Sequence, residues 1–279
     1  MNKLITLFAT AASLIVASVV PFGQAHAGEV LDKVLQSKTL TVAVGTDWGA
    51  ISHLDKNHEL VGYDVDIVKQ IAKSLGVEPK FVTPSWDVIT SGMWEGRWDI
   101  AMGQMVPTEA RAKVLNFPAV NIWVPSVAVV HKDSKATQPS DLEGKVVGVT
   151  GGSSDADYAN HSLTPAWTNA KPIQYQFKAG QVKTYGTANI AYDDLRLGDG
   201  VRLDAVLTDA LSAQEVIKAG YPLKILKPAL YSGPGAIAIL RGDKEFSEKI
   251  AAVVNEMKDD GTLSELSKKW YGADYSKEQ

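Results

Sequence analysis

The chain has 279 residues, with 28 Lys and Arg against 32 Asp and Glu, a formal net charge of −4 and no Cys. This mild acidic balance argues against nucleic acid and anionic membrane surfaces as partners, because both are bound through basic patches. The lack of Cys excludes a disulfide scaffold, a thiol nucleophile, a zinc-thiolate site and a lipid-modified cysteine anchor.

Residues 1–27 have the pattern of an export signal. Lys3 supplies the positive start, an apolar stretch runs from Leu4 to Val20, and Ala25-His26-Ala27 is a small-x-small cleavage site. The stretch is shorter than a membrane span and ends at Pro21, so the pattern predicts export and removal rather than anchoring. We therefore expect cleavage near Ala27 and a location in the periplasm of a two-membrane bacterium.

The next part of the chain alternates between predicted strands and helices. Thr39 to Gly45 is a continuous run with β-branched residues closed by Gly, which is typical of a strand buried on both faces. Tyr63 to Leu75 repeats apolar residues at helical spacing and stops at Gly76. A β-α-β-α-β order predicts a mostly parallel sheet with ligands at the carboxyl ends of its strands. The order is completed by a strand over 79–83, a helix over 86–94 and a strand over 98–105.

A second alternation begins at Ser126 and predicts another α/β lobe. Its strands are expected over 126–131, 145–150 and 204–207, with a turn at 140–144 and helices over 151–158, 186–197 and 209–219. A segment over 223–226 and a Gly233-Pro234-Gly235 break then precede a buried strand over 235–240 and helices over 245–257 and 263–270.

The last elements resume after this second lobe, so the chain is expected to cross between two lobes twice. The crossings are predicted near residues 122–126 and 233–237, and two crossings make a hinge. The first lobe is therefore predicted to hold residues 28–122 and 236–279, and the second lobe residues 123–235.

A short stretch that ends at Arg111 has the pattern of an anion-binding site. The Gly103-Gln104 pair falls where a strand is predicted to end, and Pro107 then stops that strand. Thr108 is a good N-cap for a helical turn that holds Arg111, which brings free backbone N–H groups beside a guanidinium. Such a group fits a carboxylate with two donors at once. Taken alone, a surface Arg on a capped helix is the commoner explanation, and only the rest of the chain favours the carboxylate site.

Other polar side chains also fall at strand ends. Gly151-Gly152-Ser153-Ser154 leads from a strand into a helix start, so free N–H groups and two hydroxyls face one point. This stretch is not a nucleophile elbow, because the final Gly of that motif is missing. Asp47 and Asp209 follow strands in different lobes, where a carboxylate can hold an ammonium group. Capping of a helix or turn is the alternative for each of these residues.

Two of the seven Trp residues lie at strand-to-helix junctions. Trp48 and Trp86 are expected to stack on an aliphatic or cationic ligand chain, while Trp94, Trp98 and Trp123 are interpreted as structural. The five His residues include His53 and His58 in one polar loop, but a third ligand is missing. We therefore predict neither a metal site nor a cofactor.

Seven segments occur in one order over nearly all of the chain after residue 27. They are GTDW, LVGYDVDIVKQIAKSLGV, WDVI, WDIAMGQMVPTEARAKVLNF, DLEGKVVGV, DAVLTD and DGTLSELSKKWYG. Together they resemble the polar amino-acid-binding family of periplasmic solute-binding proteins, which serve ABC importers. The resemblance implies an α/β fold of two doubly wound lobes joined by a two-strand hinge, of the type II periplasmic-binding-protein kind. In that family the two lobes close over the ligand.

The resemblance also implies roles for single residues. Arg111 and the amides near Gly103 to Val106 are expected to hold an α-carboxylate, with help from Ser154 and Ser153 of the other lobe. Asp209 is expected to take the α-ammonium group. The remaining expected contacts are Trp86 on the ligand side chain, Asp47 on a cationic side chain, and Thr150 and Asp155 at further pocket positions.

The chain departs from the family pattern at two places. The segment after Asp47 is slightly shorter than usual, and Trp48 stands in for the aromatic that normally follows. Val106 replaces a Ser or Thr hydroxyl, which removes a hydrogen bond of about 1 kcal/mol or more unless Gln104 compensates. These changes extend the expected ligand class from α-amino acids to related carboxylates such as opines.

Two functions remain open at this point. The first is a monomeric binding protein that delivers a small-molecule ligand to an inner-membrane ABC permease. The second is an exported enzyme on the same scaffold that dehydrates cyclohexadienyl carboxylic acids, for which Asp155 or Asp209 would have to act as a general acid near Arg111. A detached sensor module is a third option.

Overall fold

The computed structural model describes residues 28–278, so the predicted export signal lies outside the described residues. Within this range the helices are α1 (Glu29–Ser37), α2 (Tyr63–Leu75), α3 (Trp86–Thr90), α4 (Glu109–Ala112), α5 (Ser154–Ala159), α6 (Ala188–Leu195), α7 (Ala210–Lys218), α8 (Lys244–Asp259) and α9 (Thr262–Tyr271). The strands are β1 (Thr39–Ala43), β2 (His53–Leu54), β3 (Leu60–Val61), β4 (Glu78–Val82), β5 (Ile100–Met105), β6 (Leu115–His131), β7 (Val146–Thr150), β8 (Gln181–Tyr185), β9 (Ala205–Asp209), β10 (Leu223–Ile225) and β11 (Tyr231–Leu240).

The first predicted lobe has the expected β-α-β-α-β order. Strand β1 lies between β4 and β5 and is parallel to both. Helix α2 has the predicted bounds, and Gly76 ends it in the left-handed conformation that Gly adopts readily. Helix α3 ends at Thr90 rather than at residue 94, because Gly92 turns the backbone with a φ of 73°.

The second predicted lobe repeats this arrangement. Strand β7 lies between β8 and β9 and is parallel to both. Helices α5, α6 and α7 were all predicted, with bounds that differ by a few residues. Strand β8 was not predicted, because it has no continuous apolar run and forms the end of the sheet.

Two long strands connect the lobes. Strands β6 and β11 pair antiparallel from Leu115 opposite Leu240 to Ser126 opposite Tyr231. Strand β11 also pairs with β5, and β6 also pairs with β9. In the described part of the chain this gives one sheet in the order β4-β1-β5-β11-β6-β9-β7-β8, with β10 beside β6. The carboxyl ends of β1, β5, β7 and β9 therefore meet near these connecting strands.

The predicted break at Gly233-Pro234-Gly235 is wrong, because all three residues lie inside β11. Gly235 is required for close packing rather than for a turn. A Cβ atom there would lie 2.6 Å from Ile122 Cγ2 and 2.9 Å from Gln104 Cα. Gly233 pairs with Val124, so the two predicted crossings lie side by side within the β6–β11 pair. The lobe boundaries themselves stay a prediction.

Apolar residues form a core on the faces of the sheet. Trp94 and Trp98 are buried with ring centroids 5.5 Å apart, which confirms their structural interpretation. Helix α1 and the β2–β3 hairpin were not predicted. No helix within residues 28–278 is both long enough and apolar enough to span a membrane.

Candidate functional site

A cavity of about 350 Å³ lies where the carboxyl ends of β1, β5, β7 and β9 face the connecting strands. All residues that the sequence analysis selected as ligand contacts line it. They are Asp47, Trp48, Trp86, Gly103, Gln104, Val106, Arg111, Thr150, Ser153, Ser154, Asp155 and Asp209. The structure thus brings together residues that are up to 162 positions apart in the chain.

Arg111 is buried at one end of a short helix, and its orientation is fixed by backbone groups. Thr108 caps the helix, since its hydroxyl accepts the N–H of Arg111 at 3.3 Å. The guanidinium donates to the carbonyl oxygens of Val106 and Gly152, each at 2.6 Å. A guanidinium has five N–H donors, more than these two contacts require, so Arg111 can also hold a carboxylate.

Burial lowers the pKa of Arg111, while the charges of Asp157, Tyr231 and Asp155 act in the opposite direction. An Arg side chain stays protonated in such surroundings, because its ordinary pKa lies far above neutral pH. Arg111 is therefore a permanent positive charge in the cavity wall. Its guanidinium carbon also lies 5.9 Å from the centre of the Trp86 ring.

The amide of Gly103 does not face a ligand as the sequence analysis expected. Its N–H donates instead to Asp64 Oδ2 at 2.6 Å. Gly103 and Gln104 have φ values of 127° and 54°, and this turn of the backbone directs the amide toward the start of α2. Burial raises the pKa of Asp64 to about 7, although hydrogen bonds from Gly103, Asn121 and Gln104 lower it.

The side chain of Gln104 has one contact within the protein. Its Nε2 donates to the hydroxyl of Tyr271 at 2.8 Å, which leaves the second N–H of this amide for the hydrogen bond that Val106 cannot make. Val106 contributes its carbonyl oxygen to Arg111. Compensation by Gln104 therefore stays a prediction.

Trp48 and Trp86 form one wall of the cavity. Their rings meet edge to face, with centroids 5.4 Å apart and an interplanar angle of 88°. Gly103 lies beneath both rings, and a Cβ atom there would come within 2.6 Å of Trp86 and 2.7 Å of Trp48. Gly45 likewise leaves room for Trp48, because its Cβ atom would lie 2.1 Å from that ring. The aromatic wall thus depends on two glycines.

The hydroxyl groups of the second lobe have different roles. Ser153 is the N-cap of α5, and its Oγ accepts the N–H of Ala156 at 3.1 Å, so the capping interpretation applies to it. Ser154 Oγ lies within hydrogen-bond distance of the Tyr231 hydroxyl, at 2.9 Å. Thr150 is the last residue of β7. All three residues also line the cavity.

The carboxyl group of Asp155 is hydrogen-bonded to two hydroxyls within the protein. It accepts hydrogen bonds from the hydroxyls of Ser126 and Tyr231. Burial raises its pKa to about 6, and the nearby charge of Asp209 adds to this increase. The two hydroxyls and Arg111 act in the opposite direction. A cation brought into the cavity would favour the ionised form of Asp155.

The other two selected carboxylates occupy contrasting positions. Asp209 caps α7, since its Oδ1 accepts the N–H of Ser212 at 2.8 Å. Asp47 is exposed, and its carbonyl oxygen accepts a hydrogen bond from Asn189 Nδ2 at 2.9 Å. The capping alternative is therefore observed for Asp209, which nevertheless also lines the cavity.

Several lining residues were not predicted, and three of them, which follow Asp209 on one helix face, left a readable signal. Asp209, Ser212, Glu215 and Ala219 follow one another at helical spacing and all line the cavity. A helix that begins at a selected residue should have been followed along the same face. Ser126 and Tyr231 left no such local signal, because the pairing of β6 with β11 brings them to the cavity.

Hydrogen bonds join the two predicted lobes on both sides of the cavity. The N–H of Ala50 donates to both carboxylate oxygens of Glu215, at 3.0 and 3.1 Å. Elsewhere the N–H of Glu109 donates to Thr164 O at 3.0 Å, and the N–H of Ala166 donates to Pro107 O at 3.1 Å. The structure is therefore one in which the lobes are in contact around the cavity. Within residues 28–278, no group of three or more His, Asp and Glu side chains is arranged to hold a metal ion.

Similarities to known proteins agree with this arrangement. Residues 40–273 match the family described as bacterial extracellular solute-binding proteins, family 3. The L-cystine-binding protein TcyJ of Escherichia coli K12 is 28% identical over 251 residues, which cover 89% of this chain and 88% of TcyJ. A solved ancestral arginine-binding protein bound to arginine is 32% identical, with a TM-score of 0.72, and the match covers 84% of this chain and 99% of that chain. The ancestral amino acid-binding protein AncCDT-1, a precursor of cyclohexadienyl dehydratase, is 29% identical with a TM-score of 0.74, over 86% of this chain and 99% of that chain.

Proposed function

The chain belongs to family 3 of the bacterial extracellular solute-binding proteins, and we propose that it captures an amino acid or a related small carboxylate for an ABC importer. One observation carries this proposal. A buried guanidinium from one predicted lobe and two carboxylates from the other, those of Arg111, Asp155 and Asp209, line the same cavity. A zwitterion has the two opposite charges that such a cavity complements.

In this proposal the ligand connects the lobes. Its carboxylate binds Arg111, its ammonium group binds Asp155 and Asp209, and its side chain packs on Trp48 and Trp86. Because the charged partners come from different lobes, the ligand binds the closed form better than an open form and shifts the population toward closure. Ser154 and Thr150 supply further polar contacts from the second lobe.

The cellular setting follows from the sequence and the family. The pattern of residues 1–27 supports export and cleavage near Ala27. An exported binding protein without an anchor would diffuse in the periplasm as a monomer and pass its ligand to an inner-membrane ABC permease. The names of its relatives, among them an L-cystine-binding protein, support binding rather than turnover.

The dehydratase alternative has one observation in its favour. A dehydratase needs a protonated carboxylic acid near a carboxylate-binding Arg. Asp155 has a pKa raised to about 6, and the charge of Arg111 acts on it. Prephenate and arogenate test this alternative directly. Turnover of either compound at catalytic enzyme concentration would establish an enzyme, whereas we expect neither to be consumed.

Thermal unfolding tests the binding proposal. The protein is unfolded and refolded without ligand, and its melting temperature is measured with each of the standard L-amino acids, with L-cystine and with opines. We expect one compound class to raise the melting temperature by an amount that grows with the logarithm of its concentration. A melting temperature that responds to none of these compounds would contradict the proposed function.

A further inference from the structure

Glu215 is a cavity residue for which the zwitterion site described above has no use. It lies on α7, two turns after the capping residue Asp209, and faces the cavity from the second predicted lobe. Its side chain is half-buried. A carboxylate in this position needs either a partner within the protein or a cation in the cavity.

Within the protein, Glu215 has one partial partner. Both of its carboxylate oxygens share the single N–H of Ala50, at 3.0 and 3.1 Å. The backbone comes so close that a Cβ atom on Gly49 would lie 1.9 Å from Glu215 Oε2, and Gly49 has a φ of 57°. His53 Nδ1 lies 2.7 Å from the carbonyl oxygen of Gly49 and holds this loop. The Ala50 contact thus fixes the orientation of the carboxylate. A carboxylate has roughly four acceptor positions, and a single N–H leaves most of them available to a ligand.

Glu215 and Arg111 have different contacts in the cavity wall. The guanidinium of Arg111 donates to the carbonyl oxygens of Val106 and Gly152. The Glu215 carboxylate instead accepts the N–H of Ala50. The guanidinium and the Glu215 carboxylate therefore mark different regions of one cavity.

The balance of charge in the cavity indicates what the ligand must bring. Among the described residues that line it, Arg111 is the single Lys or Arg, and it faces four carboxylates. A ligand carboxylate would neutralise Arg111, and an α-ammonium would offset only part of the negative charge. The four carboxylates are those of Asp47, Asp155, Asp209 and Glu215.

We propose that Glu215 is a specificity-determining residue that binds a positively charged group on the side chain of the ligand, in one subsite with Asp47, for which the resemblance already implies such a contact. The inference rests on the proposed function and narrows its ligand class to cationic amino acids. A guanidinium or ammonium group binds the free acceptor positions of Glu215, while its aliphatic stem packs on the indoles of Trp48 and Trp86. Contact with Ala50 holds the carboxylate in place.

L-arginine and L-citrulline provide the test, because they have nearly the same shape and differ in the charge of the side chain. Calorimetric titration of the refolded, ligand-free protein should show L-arginine binding at least 10-fold more tightly than L-citrulline. In Glu215→Gln this ratio should fall at least 10-fold, with the affinity for L-citrulline changed less than 3-fold. The Gln side chain keeps an acceptor for the N–H of Ala50 but lacks the charge.

Glu256→Gln is the matched control, because Glu256 is exposed on α8 and does not line the cavity. It should leave the ratio unchanged. Asp47→Asn is the second variant, since Asp47 is exposed and tolerates substitution, and it should also lower the ratio. If Glu215→Gln does not fold, the decrease in Asp47→Asn decides the proposal.

Three results would overturn the subsite. They are a wild-type protein that binds L-arginine no better than L-citrulline, equal losses of both ligands in Glu215→Gln, and unchanged ratios in Glu215→Gln and Asp47→Asn. Equal losses would mean that Glu215 only holds the lobes together. A wild-type protein that binds L-glutamine or L-cystine but neither L-arginine nor L-lysine would contradict the subsite and leave the proposed function intact.

Discussion

Arg111 is held in the cavity by carbonyl oxygens from both predicted lobes, those of Val106 and Gly152. The two contacts fix the plane of the guanidinium before a ligand arrives. Preorganisation of this kind lowers the cost of binding, because the side chain does not have to be ordered at that moment. The geometry therefore requires a planar group with several donors, and not merely a positive charge.

Arg111→Lys tests this requirement. A Lys ammonium is a compact charge that cannot serve both carbonyls and a carboxylate in one plane, so we expect the affinity for the amino-acid ligand to fall at least 100-fold. Calorimetry measures the loss. Arg97→Lys is the control, because Arg97 also donates to two backbone carbonyls but lies outside the cavity. Equal affinity in Arg111→Lys and wild type would contradict the role of Arg111.

Gly103→Ala tests the aromatic wall. The added methyl would lie 2.6 and 2.7 Å from the rings of Trp86 and Trp48, and the backbone has a φ of 127°. We expect the free energy of unfolding to fall by about 1 to 3 kcal/mol, together with a loss of affinity and altered Trp fluorescence.

Gly96→Ala separates the clash with the Trp rings from the strain of a positive φ. Gly96 also has a positive φ, of 72°, but its Cβ atom would meet nothing within 4 Å. It should therefore cost some stability and leave both affinity and fluorescence unchanged. If Gly103→Ala has no larger effect on affinity than Gly96→Ala, the wall is not part of the site.

The raised pKa of Asp155 predicts a pH dependence. Because its pKa is about 6 in the folded protein and 3.8 ordinarily, the folded state holds this proton more tightly than the unfolded chain does. The ionised group therefore opposes folding fully above pH 6, by up to about 3 kcal/mol, and this cost disappears as the pH falls toward 4.

Asp155→Asn removes this titration. We compare the free energy of unfolding of the ligand-free variant with that of wild type at each pH. The difference in favour of the variant should grow as the pH rises from 4.5 to 7.5. Urea unfolding at four pH values measures the difference. A difference that does not change with pH would show that Asp155 ionises in the folded state as it does in the unfolded chain.

At the scale of helices and strands, Asp209 is the N-cap of α7. Its carboxylate accepts the N–H of Ser212 and also lines the cavity. Capping and ammonium binding, which the sequence offered as alternatives, are therefore compatible. A carboxylate has enough acceptor positions for a helix N–H and for a ligand cation.

Two substitutions separate the tasks. Asp209→Asn keeps a good N-cap without the charge, so we expect unfolding free energy close to that of wild type and at least a 10-fold loss of affinity. Asp209→Ala should lose the same affinity and, in addition, about 1 kcal/mol of stability. Urea unfolding and calorimetry on both variants provide the measurements. Retained affinity in Asp209→Asn would exclude the carboxylate from the site.

Elements with a strong local signal could be predicted, and elements that depend on distant pairing could not. The bounds of α2 follow from its apolar spacing and from Gly76. The continuous course of β11 through Gly233-Pro234-Gly235 does not follow, because turn residues dominate the local pattern. Only the pairing with β5 and β6, with Gly235 packed against Ile122, makes that stretch a strand.

The same distinction applies to the site. Arg111, Asp209 and Ser154 lie at strand ends or helix starts, where a local pattern shows them. Asp64 could not be selected in that way, since its partner Gly103 is more than 35 positions away in the chain. The helical spacing after Asp209 indicates Glu215, but not its contact with the distant Ala50. Sequence patterns thus identified the lining of the cavity but not the bonds that hold it.

At the scale of the whole molecule, two predicted lobes on one continuous sheet enclose a cavity that Arg111 lines from one lobe and Asp155, Asp209 and Glu215 line from the other. The connecting strands β6 and β11 join the lobes covalently in the middle of the sheet, while contacts such as Ala50 to Glu215 join them around the cavity. A ligand with two charged ends would add a further connection. We therefore expect one lobe to bind the carboxylate of the ligand and the other lobe to bind its ammonium group.

Calorimetry on a matched ligand series tests this claim most directly. The tightest binder among L-arginine, L-lysine, L-glutamine and L-cystine is compared with its decarboxylated amine and with its Nα-acetyl derivative. We expect either derivative to bind at least 100-fold more weakly, because each leaves one lobe without its charged partner. Equal binding of all three compounds would contradict it.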